Sequence, residues 1–146
     1  MSNIEDFLSN KDEEEIIEAI RIAEQNTSGE IRVHIESTSN LTILERTIEV
    51  FNLLKMDNTK LQNGVIIYVA VDDKSFCIYG DKGINDVVAS NFWDSTRLII
   101  EQHFKNNDFK QGLIDGVLKA GEQLENHFPW RHGVDTNELP NEISKG

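Results

Sequence analysis

Cysteine, proline and basic residues are all scarce in this chain of 146 residues, which contains one cysteine, two prolines and 14 lysines and arginines. The lone cysteine, Cys77, excludes both an intramolecular disulfide and a zinc site built from cysteines. Because 26 aspartates and glutamates outnumber the basic residues, the formal net charge is −12. Binding to nucleic acid or to an anionic membrane surface requires clustered lysine and arginine, so this composition argues against both kinds of partner.

Long apolar segments are also missing. The longest, at residues 65–71, is far shorter than the ~20 residues that a membrane-spanning helix needs. The N-terminal sequence MSNIEDFLSNKDEEE lacks the basic region, the apolar region and the cleavage site of a signal peptide. We therefore expect a cytoplasmic protein with no membrane insertion.

The chain does contain enough apolar sequence for one core. Its hydrophobic content of 38%, with seven phenylalanines, argues against general disorder. We place a single domain at residues 1–129. After Pro129 the sequence shows no periodicity, which predicts an extended or partly disordered tail over residues 130–146.

Helical and strand periodicities alternate along the chain. Residues 30–36 alternate strictly between apolar and polar, which predicts a half-exposed strand. The continuous apolar run at 64–71 predicts a central strand covered on both faces, and residues 76–79 complete a hairpin with it. The helical spacing of apolar residues predicts helices over 12–25, 41–55, 85–90, 94–104 and 110–126.

Without the short helix at 85–90, the order of the elements is α-β-α-β-β-α-α, which predicts an α/β fold. A strand–helix–strand unit crosses over right-handed and places its two strands parallel, and the hairpin then adds an antiparallel strand. Because the central strand is apolar on both faces, it needs helices above and below the sheet. We therefore expect a three-layer α/β/α sandwich around a small mixed β-sheet. Glu24, on the polar side of the first helix, is expected to face solvent.

The predicted topology gathers acidic residues at one end of the sheet. The two parallel strands begin there and the antiparallel strand ends there, so Glu30, Asn63 and Asp81 should share one rim, with Asp86 and Asp94 nearby in sequence. Converging carboxylates repel one another, and protonation or a hard divalent cation relieves the repulsion. Each residue also has an ordinary structural explanation: Glu30 as an acceptor for a backbone amide near the end of the first helix, Asp81 as a turn former, and Asp94 as a helix cap.

Signatures of well-known enzyme classes are absent from the sequence. It has no P-loop, no dinucleotide-binding glycine motif, no nucleophile elbow and no paired-histidine zinc helix. The histidines are scattered, and His34 falls on the outward face of the first strand. The triplet Arg131-His132-Gly133 matches one found in histidine phosphatases, but its place in the tail indicates a chance match.

Several short motifs, in order along the chain, resemble the TPM domain family. They are TSGEIRV at 27–33, NGVIIYVA at 63–70, YGDKGI at 79–84, FWD at 92–94, GE at 121–122 and HFP at 127–129. The resemblance covers about residues 5–129, and the tail sequence NELP at 137–140 is also similar to some bacterial members. It implies an α/β/α sandwich, together with binding of Ca²⁺ or another divalent cation in an acidic cleft, or an acid phosphatase activity.

The resemblance also points to particular residues. Carried over by motif, these are Glu30 in TSGEIRV, Asp81 in YGDKGI and Asp94 in FWD. We add Asn63 as the source of a carbonyl oxygen and Asp86 as a further candidate, so the expected metal ligands are these five residues. The expected cation is Ca²⁺, with Mg²⁺ as the alternative. Many TPM proteins have a signal peptide before the domain and a membrane helix or glycine-rich tail after it; this sequence shows neither, so we expect a stand-alone cytoplasmic member.

Three functions stay open from the sequence. The first is a binding or regulatory module that holds a divalent cation. The second is a metal-dependent acid phosphatase acting on phosphomonoesters, in which Asp81 or Asp94 holds a metal-bound water and another carboxylate protonates the leaving group. Phosphoryl chemistry also needs positive groups, and only Lys82 and Arg97 lie near the rim in sequence. The third is a protein-interaction module that uses residues 130–146 as a docking strand.

Overall fold

The computed structural model of the chain describes residues 7–131 and 139–146. These ranges contain five helices and four strands. Ser9 starts the first helix through a capping box, in which its side chain accepts from Asp12 N while the Asp12 side chain accepts from Ser9 N. In chain order the elements are α1 (Asn10–Ala23), β1 (Glu30–Glu36), α2 (Ile43–Leu53), β2 (Gly64–Ala70), β3 (Ser75–Gly80), α3 (Lys82–Asn85), α4 (Asp94–Lys105), α5 (Phe109–Glu125) and β4 (Ser144–Lys145).

The strands form one mixed sheet in the order β3-β2-β1-β4. β1 and β2 run parallel, with Glu30 opposite Gly64, and β3 returns antiparallel. β4 lies parallel to β1 on its other side. The beginnings of β1 and β2 and the end of β3 therefore meet at one edge, and we call this edge, with Glu30, Asn63 and Asp81, the amino rim.

Helices cover both faces of the sheet. The larger core lies on the face of α1, α4 and α5, and it includes the fully buried Ile20, Ile100 and Leu113. The smaller core lies on the opposite face, where Phe51 of α2 belongs to one cluster with Ile66 of β2. This arrangement confirms the predicted α/β/α sandwich.

A close approach between α5 and α1 requires glycine at one position. A Cβ atom added at Gly121 would lie 2.7 Å from Ala23 Cβ and 3.0 Å from Ala23 O. The backbone of Ala23 cannot rotate away as the end of a long side chain could. Glycine in a helix interior costs roughly 1 kcal/mol relative to alanine, so its use here follows from the helix packing and not from helical propensity.

β1 is buried on both faces, and the expectation of a half-exposed strand is wrong. Six of its seven residues are buried, and the seventh, Arg32, is partly exposed. His34, expected on an outward face, is buried as well. Glu30, His34 and Glu36 each take part in hydrogen bonds inside the protein, so an alternating pattern of polarity does not here indicate contact with water.

The short helix lies further upstream than predicted. Instead of covering residues 85–90 it spans Lys82–Asn85, because Asp81 caps its start. None of the helices in residues 7–131 or 139–146 is long and apolar enough to cross a membrane.

The part of the chain beyond α5 adds a strand that the sequence did not predict. Of the expected tail at 130–146, residues 132–138 lie outside the described residues. Residues 139–146, which we call the C-terminal segment, include β4 and lie along β1.

Candidate functional site

Main-chain hydrogen bonds between the strands hold the amino rim together. Glu30 N donates to Asn63 O at 3.2 Å, and Asp81 N donates to Gly64 O at 2.9 Å. These bonds fix the starts of β1 and β2 and the end of β3 side by side. The structure therefore brings Glu30, Asn63 and Asp81 to one rim.

Asn63 carries a buried carbonyl oxygen at this rim. The residue is 1% exposed, and its Nδ2 donates to Ser28 Oγ at 3.3 Å. Its Oδ1 accepts no hydrogen bond from any residue within 7–131 or 139–146. An unsatisfied buried acceptor costs about 1–3 kcal/mol, so this oxygen is suited to bind a ligand.

Asp81 uses one carboxylate oxygen for structure and leaves the other open. Its Oδ1 accepts from Lys82 N at 2.7 Å and caps α3. Its Oδ2 is buried and has no donor in the described part of the chain, and the residue as a whole is 8% exposed. A turn-forming or capping role therefore accounts for only half of this carboxylate.

Glu30 is the most deeply buried carboxylate of the amino rim, at 3% exposure. Its Oε1 accepts a hydrogen bond from Leu139 N at 2.6 Å, across 109 residues of sequence. The sequence favours a backbone amide near the end of the first helix as the partner of Glu30. The donor instead comes from the C-terminal segment, whose Leu139 is buried in the smaller core.

Glu24, close to Glu30, is a half-buried residue whose carboxyl turns inward, so the expectation that it faces solvent is wrong. Its Oε2 accepts from Ile31 N at 2.9 Å, and its Oε1 is buried with no hydrogen-bond partner among the described residues. Burial raises the pKa of Glu24 to about 8, and the charge of Glu30 adds to this rise. The carboxyl is therefore protonated at neutral pH.

The sequence signal for Glu24 lies in its position and not in its periodicity. It is the C-cap residue of α1, where the chain turns toward β1, so the helical face pattern no longer decides its exposure. Glu24 and Glu30 together line a cleft of about 320 Å³. Trp130 and Asn141, from the chain beyond α5, also line this cleft, as does Ser28, which binds Asn63.

The other two predicted ligands lie at the surface. Asp86 pairs with Lys82 at 2.7 Å, and Asp94 pairs with Arg97 at 3.1 Å, in each case within three or four residues along the chain. Both carboxylates are exposed. Neither is buried with the oxygens of the amino rim.

The donor chemistry of the amino rim fits a hard cation. Within the described ranges, no three histidine, cysteine, aspartate or glutamate side chains form a group that could hold a metal ion. Ca²⁺ also accepts amide and backbone carbonyl oxygens and water, so it does not need three carboxylates. The carboxylates of Glu30 and Asp81 and the carbonyl of Asn63 belong to that class of ligands.

The opposite end of β1 contains a second buried polar cluster, whose carboxylate is already neutralised. Arg46 donates to both oxygens of Glu36 at 2.8 and 2.9 Å, and the Tyr68 hydroxyl donates to the same carboxylate. Burial opposes ionisation, but the hydrogen bonds from Arg46, Tyr68 and His34 prevail and lower the pKa of Glu36 to about 2. His34 Nδ1 in turn lies 2.9 Å from Ser144 Oγ, so this cluster anchors β4.

Sequence comparison relates most of the chain to one family. Residues 2–123 match the model of a family described as TPM domain. No curated protein sequence gives a significant match.

Solved structures with the same fold include one close relative. The NMR structure of the BA42 protein from the psychrophilic bacterium Bizionia argentinensis is 62% identical to this chain, with a TM-score of 0.93 and full coverage of both chains. The N-terminal domain of a P. gingivalis protein is 21% identical, with a TM-score of 0.67 over 86% of this chain and 83% of its own. The N-terminal domain of the cg2496 protein from Corynebacterium glutamicum is 15% identical, with a TM-score of 0.65 over 80% and 74%. These last two likenesses concern the fold alone.

Proposed function

The chain belongs to the TPM domain family, and from this premise we propose that it is a divalent-cation-binding module with its site at the amino rim. The observation that carries the proposal is a pair of buried oxygens, Asn63 Oδ1 and Asp81 Oδ2, that accept no hydrogen bond within the described ranges. A bound cation would satisfy both oxygens. It would also supply positive charge beside two buried carboxylates, those of Glu30 and Asp81.

Ca²⁺ suits this set of oxygens better than Mg²⁺. Ca²⁺ accepts six to eight oxygens in irregular geometry, whereas Mg²⁺ demands a near-ideal octahedron and keeps more of its waters. The rim offers carboxylate and amide oxygens from three separate strand ends, which is an irregular set. The proposed ligands are therefore Glu30, Asn63 and Asp81, while the exposed Asp86 and Asp94 stay with their basic neighbours.

Calorimetric titration with Ca²⁺, and with Mg²⁺ in parallel, tests the proposal. Asp81→Asn keeps an oxygen that can cap α3 but removes the charge, so it should weaken Ca²⁺ binding by at least about tenfold. Asp72→Asn removes the same charge from an exposed turn and should bind like the wild type. Absence of binding by the wild type, or equal binding by Asp81→Asn, would show that the amino rim is not a cation site.

A metal-dependent acid phosphatase is the second candidate, and Glu24 is the observation that favours it. A carboxyl with a pKa of about 8 keeps its proton at neutral pH and is able to protonate a leaving oxygen. Against this function, Lys82 and Arg97 are each paired with an aspartate, so their charge is not open to a phosphoryl group. An aryl-phosphate assay on the wild type and on Asp81→Asn tests this second function. Turnover by the wild type that is lost in Asp81→Asn would support it, whereas equal turnover by both proteins would indicate a contaminating enzyme.

A further inference from the structure

The C-terminal segment is attached to β1 near both ends of that strand. At the amino rim, Leu139 N donates to Glu30 Oε1 at 2.6 Å. Toward the other end, Gly146 N donates to Ile35 O at 3.0 Å, next to the paired residues of β4 and β1. The segment therefore runs along β1 from the proposed cation site to the opposite rim.

Leu139 also contacts the second strand of the amino rim. A Cβ atom added at Gly64 would lie 3.6 Å from Leu139 Cδ1, which is ordinary van der Waals contact. Gly64 directly follows Asn63, one of the proposed ligands. The start of the C-terminal segment thus packs against β1 and β2 at the positions where both strands supply oxygens to the rim.

The carboxylate of Glu30 connects the segment to the site. The hydrogen bond from Leu139 N restrains the orientation of the Glu30 carboxylate, and a ligand that is already held in place binds a cation more tightly. A carboxylate has two oxygens and about four lone-pair positions, so one amide and one cation can share it. The Leu139 hydrogen bond and a bound cation therefore favour the same orientation of the Glu30 carboxylate.

We propose that cation binding and docking of the C-terminal segment onto β1 are positively coupled through Glu30. This coupling rests on the cation site proposed above. The cation holds the Glu30 carboxylate in one orientation, so the hydrogen bond from Leu139 N then forms at a smaller cost in side-chain entropy. By linkage, the docked segment strengthens cation binding by the same factor. Filling the site thereby fixes the segment on β1, and emptying it lets the segment leave that edge of the sheet more often.

Hydrogen exchange of the full chain measures the first half of this linkage. Saturating Ca²⁺ should slow exchange of the Leu139 and Gly146 amides at least about fivefold more than that of Asn107, since coupling between sites is commonly in the range of about 5–150-fold. The Asn107 amide is a suitable reference because it bonds to Phe104 O in the turn between α4 and α5. It therefore reports general stabilisation of the fold rather than docking of the segment.

Two substitutions at Leu139 measure the second half. Leu139→Pro removes the N–H donor but keeps an apolar side chain, whereas Leu139→Ala keeps the donor and shortens the side chain. Calorimetry with Ca²⁺ should show about five- to tenfold weaker binding by Leu139→Pro, and binding by Leu139→Ala within about threefold of the wild type.

The outcomes separate this coupling from the cation site itself. No Ca²⁺ binding by the wild type overturns the site and the coupling together. Equal Ca²⁺ affinity of the wild type and Leu139→Pro, with no selective slowing at Leu139 and Gly146, overturns the coupling and leaves the site in place. Tighter Ca²⁺ binding by Leu139→Pro, or faster exchange of the segment's amides in the presence of Ca²⁺, would show that the cation and the C-terminal segment compete, and it would also overturn the positive coupling. If Leu139→Pro does not fold, the exchange of the wild-type amides decides.

Discussion

Glu24 and Glu36 show how differently two glutamates behave when their donors differ. Glu24 accepts a backbone hydrogen bond on Oε2 while its Oε1 is buried, so burial prevails and raises its pKa to about 8. Glu36 is also buried, but the hydrogen bonds that it accepts, chiefly from Arg46, hold its pKa at about 2. The supply of donors, and not the depth of burial, therefore decides which of the two is charged at neutral pH.

Glu24→Gln should make the protein more stable at high pH. The pKa of Glu24 is about 8 in the native state against an ordinary value of 4.5, so its stabilising contribution is complete below pH 4.5 and is lost as the pH rises through 8. The amide of the substituted side chain resembles the protonated carboxyl at every pH. We expect a gain of roughly 1–3 kcal/mol at pH 9 and a much smaller gain at pH 5, measured by urea unfolding.

The control for this prediction is Glu14→Gln, which removes a charge from an exposed position on the same helix. Its effect on stability should not grow between pH 5 and pH 9. A Glu24→Gln variant with the stability of the wild type at pH 9 would contradict the burial of this carboxyl.

Secondary structure elements with a repeated apolar pattern could be predicted from the sequence, whereas an element that depends on distant contacts could not. β1 begins and ends where alternation predicts, and the start of α4 was also predicted correctly, at Asp94. β4 has only two residues, and a contact between its Ser144 and His34 of β1 joins positions 110 residues apart. No local periodicity indicates such a strand.

The same distinction holds for the amino rim. Glu30, Asn63 and Asp81 could be placed together because their positions follow from strand order and strand direction alone. The amide of Leu139 could not be predicted as a partner of Glu30, since a backbone donor has no signature in the sequence. The burial of Glu24 depends on the turn after α1, which the helical pattern does not describe.

Gly121→Ala should destabilise the packing of α5 on α1. Helical propensity favours alanine by roughly 1 kcal/mol, but the added Cβ would press on Ala23, and such overpacking costs about 1–3 kcal/mol. We therefore expect a net loss of about 1 kcal/mol in the free energy of unfolding, measured by denaturant titration. Glu122→Ala, at the exposed neighbouring position, should change stability by less than about 0.5 kcal/mol. Stabilisation by Gly121→Ala would show that the two helices are not this close.

Across the whole molecule, the net charge of −12 means that any salt should stabilise the fold by screening repulsion. This general effect has to be distinguished from the effect of Ca²⁺ bound at one site. Monovalent salt weakens the repulsion among like charges, so NaCl should raise Tm gradually, by a few degrees up to about 300 mM, in the wild type and in Asp81→Asn alike. Ca²⁺ at matched ionic strength should raise Tm further in the wild type alone, with an effect that depends on the affinity of the site. Thermal unfolding of the wild type and of Asp81→Asn in NaCl and in CaCl₂ checks this prediction. An equal rise of Tm with Ca²⁺ in both proteins would show that Ca²⁺ acts by screening and not by binding at the amino rim.

The position of β4 also affects how the chain folds as it is made. β1 lies between β2 and β4 in the sheet, yet Ser144 emerges from the ribosome 110 residues after His34, to which it binds. β2, β3 and the intervening helices are complete by then, while one edge of β1 still has no strand beside it. An open strand edge pairs readily with other chains, and pairing over so long a separation is slow. Until β4 docks, the open edge of β1 is therefore a place where the nascent protein can pair with other chains.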